Sequence, residues 1–110
     1  MTVVRRPQAK ADLDHYAGYF TRQSGIALAT RFLEAAERTF ADLASLPGMG
    51  SPYPVDNPSL NGLRAFPVDG FPNHFIFYLW PSTHDIEIIR VMNASRNLAQ
   101  HLESTQDDNR

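Results

Sequence analysis

The stretch HFIFYLWPSTHDIEIIRVMN, residues 74–93, decides the fold. His74–Trp80 is dense in aromatic and β-branched residues, and Ile86–Met92 alternates with period two. Both read as strands, and Pro81-Ser82-Thr83-His84-Asp85 between them reads as a turn. So short a joint allows an antiparallel pair but not a parallel one, which needs a crossover of a dozen residues or more. Upstream, Leu63–Asp69 has the same period, with Pro67 marking an edge, a bulge or a strand end. These segments predict an antiparallel meander of three strands.

Before the meander the period is helical. Gln8 to Ser24 carries a stripe of Ala9, Leu13, Tyr16, Ala17 and Phe20. Ile26 to Leu46 carries another through Ala29, Phe32, Leu33, Ala36, Phe40 and Leu43. Gly25 breaks the two, and Pro47-Gly48 closes the second, so they predict an antiparallel helix hairpin. Thr2–Arg6 predicts an N-terminal strand ending at Pro7, which suits the first turn of a helix. Met49–Gly62, rich in proline and glycine, reads as a surface loop. Asn93–Glu103 reads as a short C-terminal helix with Asn93 as its N-cap. The fold class is α+β, with the helices packed on one sheet face. Residues 1–103 form one domain, and 104–110 a polar, frayed tail.

Composition narrows the function. At 110 residues the chain suits one domain, and 43% apolar residues suit a globular core. No cysteine is present, which excludes disulfides and thiolate metal sites and predicts a reducing, cytoplasmic setting. No apolar run is long enough to span a bilayer, so no membrane partner is expected. The four histidines have no metal-ligand spacing, and Gly48-Met49-Gly50 lacks the lysine and helix of a phosphate loop. No cofactor is expected. The net charge of −2 argues against a nucleic-acid surface, and the aromatic strand is read as core before base-stacking platform.

The basic residues are nine arginines and Lys10. Arg64 lies in the first meander strand, Arg90 in the last and Arg96 just beyond it. Strict alternation puts Arg90 on the face of Ile86 and Ile88. A buried arginine needs a partner, and the first helix offers Asp12 or Asp14. Asn93, Arg96 and Asn97 form a polar group where the last strand ends.

Taken in order, Ala11-Asp12-Leu13, Leu43–Gly50, Leu63–Val68, Ile76-Phe77-Tyr78 and Ile88–Asn97 resemble the RelE/ParE superfamily of type II toxins, and its ParE branch more closely. The resemblance covers nearly the whole chain. Two positions depart from it: the family often has histidine at the place of Asn93 and aspartate at that of Asn97, so an ionisable group is missing at each. The superfamily implies either a RelE-like ribosome-dependent mRNA endonuclease, using lysine, arginine and tyrosine around the phosphate, or a ParE-like inhibitor of DNA gyrase without catalytic residues. Lys10 is remote, and no lysine or tyrosine follows Trp80, which favours the second. A degenerate module that only binds its antitoxin is a third reading.

On the ParE-like reading, Arg64, Asn93, Arg96 and Asn97 are target contacts, Arg90 and Asp12 a structural ion pair, and no residue is catalytic. The resemblance implies a ParD-like antitoxin that forms a hetero-oligomer with the toxin and itself carries any DNA contact. Leu28, Phe32, Tyr78 and Trp80 exceed what one small core readily hides. They predict an apolar groove for an amphipathic antitoxin helix.

Overall fold

The computed structural model describes residues 2–81, 85–94 and 102. The chain runs β1 (Thr2–Arg5), α1 (Pro7–Ser24), α2 (Ile26–Ser45), β2 (Ser51–Pro52), β3 (Arg64–Val68), β4 (Phe71–Leu79) and β5 (Asp85–Asn93). This is the α+β arrangement expected. The hairpin turns on Gly25 alone, at φ 92°, where a side chain would strain the backbone. Its N–H donates to the Thr21 carbonyl at 3.0 Å and closes α1.

The sheet has five strands in the order β1-β5-β4-β3-β2. β3, β4 and β5 form the antiparallel meander. β1 joins it at the far side, parallel to β5, pairing Thr2 with Asp85 through Arg5 with Ile88. The helix hairpin supplies the long connection that parallel pairing needs. The loop expected over residues 49–62 contains more order than its composition suggests. A 3-10 turn, Pro47–Met49, leads into it, and it includes β2 and a second 3-10 turn, Pro58–Leu60.

The helix hairpin covers one sheet face, burying Phe32, Ala36, Phe40 and Leu43 against Ile76, Tyr78, Ile86, Ile88 and Val91. The opposite face is covered as well. There Phe77, Leu79, Ile89 and Met92 pack with Leu60, Leu63 and Leu102, flanked by Tyr53 and Val55. The irregular segment thus acts as a second cover.

β5 departs from simple alternation. Tyr78 pairs with Ile88 but Phe77 with Arg90, so Ile89 is an extra residue in a β-bulge. Because the bulge shifts the period by one, Val91 and not Arg90 joins Ile86 and Ile88 on the helix face. This corrects the face assigned to Arg90 by alternation. The C-terminal helix expected from Asn93 is also revised at its start, since Asn93 is the last residue of β5. Of the rest, Leu102 is helical and buried, while residues 95–101 and the tail 104–110 lie outside the described residues.

Candidate functional site

The end of β5 is held by α1 in place of a strand. β1 stops opposite Ile88, so from the bulge onward the outer edge of β5 has no strand neighbour among the described residues. Its N–H groups still need acceptors. Asp12 Oδ2 accepts from the Val91 N–H at 2.9 Å, and the Tyr16 hydroxyl accepts from the Asn93 N–H at 2.8 Å. The spacing follows from geometry. Two strand residues advance about 6.8 Å and four helical residues about 6 Å, so positions 12 and 16 match 91 and 93.

Arg90 completes this clamp. Its Nε donates to Asp12 Oδ2 at 2.8 Å and its Nη2 to Oδ1 at 3.0 Å, a two-pronged pair. Both side chains are mostly buried, at 17% and 14% exposure. The bulge aims Arg90 around the strand edge to reach α1.

The side-chain amide of Asn93, half-buried at the end of β5, lies 3.5 Å from Nε2 of His74, beneath the helix hairpin. His74 is buried among the rings of Tyr16, Phe20, Phe32 and Phe71, with centroid separations of 4.9, 5.5, 5.3 and 6.5 Å. Desolvation holds its pKa below the usual 6.5, so the folded chain favours neutral imidazole.

This has a consequence for stability. Above about pH 6.5 both folded and unfolded chains carry neutral His74, and stability is at its full value. As pH falls below that, the unfolded chain takes up a proton that the folded chain excludes. Stability then drops by up to about 1.4 kcal/mol per pH unit, and the loss ends below the folded pKa. Urea unfolding from pH 8 to 5 should show this slope in the wild type and a shallower one in His74→Phe. Parallel profiles would refute it.

Arg64 is engaged by its own chain. Its Nε donates to the Gly50 carbonyl at 3.1 Å and its Nη2 to the Gly48 carbonyl at 3.3 Å. Tyr78 braces the same turn from inside. Its hydroxyl donates to the Pro47 carbonyl at 2.6 Å and accepts from the Gly50 N–H at 2.9 Å. A side chain on Gly50 would overlap the Tyr78 ring, coming within 2.8 Å of Cε1. Glycine is therefore required there by close approach.

The apolar groove expected from Leu28, Phe32, Tyr78 and Trp80 does not exist as a unit. Phe32 and Tyr78 are fully buried core residues. Leu28 sits beside Phe71 at the start of β4, whereas Trp80, 44% exposed, follows the end of β4. A nine-residue strand separates them. What the surface does offer is a groove of about 470 Å³ between α2 and the β3–β4 turn. Leu28, Ala35 and Phe71 are its apolar lining, and Arg31, Glu34, Arg38 and Asp69 its charged lining. A second groove of about 480 Å³ opens beside β3, lined chiefly by Met49, Tyr53, Phe66, Phe75 and Phe77.

Arg96 and Asn97, the remaining expected contacts, lie outside the described residues. Sequence reasoning missed Tyr16 and His74. The i, i+4 spacing of Asp12 and Tyr16 was the available signal for the first. Among the described residues no cluster of three or more histidine, aspartate or glutamate side chains could hold a metal. No helix there is long and apolar enough to cross a membrane.

The architecture is that of a small α+β domain with a helix hairpin on a mixed five-stranded sheet. The family model described as "ParE toxin of type II toxin-antitoxin system, parDE" matches residues 3–98. The chain belongs to the ParE toxin family of type II toxin-antitoxin systems. Among solved structures, the chromosomal ParDE toxin-antitoxin system from P. aeruginosa shares the fold, with a TM-score of 0.69 at 18% identity. That alignment covers 84% of this chain and 95% of the other. A search of curated proteins finds no match.

Proposed function

We propose that this toxin acts in the cytoplasm by inhibiting DNA gyrase, and that a cognate ParD-like antitoxin neutralises it. The observation that favours this over RNA cleavage is the engagement of Arg64, Tyr78 and Arg90, the arginines and the tyrosine of the sheet's meander, within the fold. Arg90 is bonded to Asp12, Arg64 to two backbone carbonyls, and Tyr78 to Pro47 and Gly50 inside the core. A ribonuclease needs such groups open around a phosphate. An inhibitor that works by binding does not. On this reading Arg96 and Asn97 are the target contacts.

Induced expression in bacteria tests the choice of target. Gyrase inhibition stops replication, so cells should filament while bulk mRNA persists. Rapid loss of translated mRNA would favour the RelE-like alternative. Growth without arrest would favour the degenerate, antitoxin-binding module.

For the antitoxin, the groove beside α2 replaces the one read from sequence. Its apolar lining and mixed charges suit an amphipathic helix. Leu28→Glu should weaken antitoxin binding by about 2 kcal/mol, roughly thirtyfold, as for a central interface residue. The melting temperature should change little, because Leu28 is only partly buried. Titration calorimetry with the purified antitoxin checks this, and unchanged affinity would place the antitoxin elsewhere.

A further inference from the structure

We propose that the outer edge of β1 is a self-association surface. A second copy of this chain pairs its own β1 there, antiparallel, about a two-fold axis at Val4. The inference is independent of the target on which the toxin acts.

The sheet has two edges, and they are finished differently. On the β3 side Ala65 is paired with Ser51 of β2, Pro67 has no N–H to offer, and the Asp69 N–H donates to the Thr39 hydroxyl at 3.1 Å. A short edge strand, a proline and a covering side chain each close an edge to further pairing. β1 has none of these devices. The Arg6 N–H donates to the Ile88 carbonyl at 3.1 Å, so residues 2, 4 and 6 turn their backbone groups toward β5. By alternation Val3 and Arg5 turn theirs outward, and no backbone group among the described residues bonds them there.

A second copy fits because this edge is complementary to itself. With Val4 opposite Val4, the antiparallel register sets Val3 of each copy opposite Arg5 of the other. Both residues face outward, so each juxtaposition exchanges two backbone hydrogen bonds. Val4 then takes the non-hydrogen-bonded position, with Cα atoms about 4.5 Å apart. Val3 packs on the helix-side core, so Val4 lies on the other face, and it is 38% exposed. The pairing covers an apolar side chain that the single chain leaves in water.

Charge does not oppose the approach. Arg5 is bonded to Glu37 of α2 and lies 5.4 Å from the Phe40 ring, so the seam carries a matched cation and anion in each copy. The groove beside α2 and the β3–β4 turn lies toward the opposite edge of the sheet, and pairing leaves it open. A four-residue strand supplies less than the roughly 800 Å² per partner of a standard interface. The dimer is therefore weak, with a dissociation constant in the micromolar range.

Sedimentation velocity of the purified toxin, from micromolar concentrations to about 1 mM, tests this beside Val4→Lys and Val4→Glu. The wild type should shift from monomer to dimer. Each variant alone should associate about tenfold more weakly or worse, since like charges meet at the axis. An equimolar mixture of the two should associate again, because opposite charges then meet. Melting should stay close to wild type, as Val4 is a surface position. In the wild type, amide exchange at Val3 and Arg5 should slow as concentration rises, while that at Val4, whose N–H points to β5, should not change.

A wild type that stays monomeric throughout would overturn the proposal, as would exchange at Val3 and Arg5 that ignores concentration. Undiminished association of either variant, or a mixture no better than each variant alone, would overturn the two-fold register at Val4. Protection of Val3 and Arg5 that appears only when antitoxin is added would assign the edge to that partner and overturn pairing between copies.

Discussion

Arg90→Ala should destabilise the toxin by roughly 3–5 kcal/mol. The loss comes less from the attraction removed than from what is left behind. Asp12 is 14% exposed and would remain in the sheet–helix seam without its cation. The bond it keeps from the Val91 N–H does not neutralise it. Asp12→Ala should be comparably costly, because it removes both the carboxylate that Arg90 binds and the acceptor of a backbone donor. Replacing both residues with methionine should recover part of the loss, since a buried pair exchanged for apolar side chains is often neutral. Urea denaturation of the two single variants and the double variant measures the coupling directly. A double variant as unstable as the sum of the singles would contradict the account of a stranded charge.

Phe32→Ala should cost about 3–5 kcal/mol, the range for a buried aromatic side chain. Phe32 has no exposed surface, and its ring meets Phe20 and Phe71 at 5.1 Å each and His74 at 5.3 Å. The cavity would open where α1, α2 and β4 converge. For a domain of this size each kcal/mol shifts the melting temperature by about 4–8 °C, so the loss should be plain in a thermal scan. An antitoxin-contact residue would behave in the opposite way, with normal melting and weakened binding. The pair Phe32→Ala and Leu28→Glu therefore separates core from interface along one helix.

The contrast between these two residues shows where sequence reasoning stopped. The helices, the meander and the fold class were legible because their apolar periods are long and unambiguous. The faces of β4 were not. In His74–Trp80 nearly every residue is apolar or aromatic, so period two cannot say which set meets the helices. Tyr78 turned out to face them, with its hydroxyl satisfied by the Pro47–Gly50 turn. Leu60 and Leu63, which cover the other face, sit in a segment without periodicity and left no pattern to read.

β5 carried a clue that alternation overrode. Ile88 and Ile89 are adjacent apolar residues, as are Val91 and Met92. Two such doublets in one strand are what a bulge between two buried faces produces. Reading them so would have moved Val91 to the helix face and released Arg90 toward the edge. Asn93 was misplaced for a related reason. Its polar character suggested a helix cap, but the Tyr16 hydroxyl and the Asn73 carbonyl extend the ordered strand through it. Long-range partners of this kind, 77 residues apart for Tyr16 and Asn93, are not visible in local sequence.

The most direct test of the proposed target is a supercoiling assay with purified gyrase, run beside ribosome-dependent mRNA cleavage. The toxin should inhibit supercoiling in proportion to its concentration, leave the mRNA intact and lose its effect when antitoxin is added. Cleavage of the mRNA with gyrase unaffected would contradict the account.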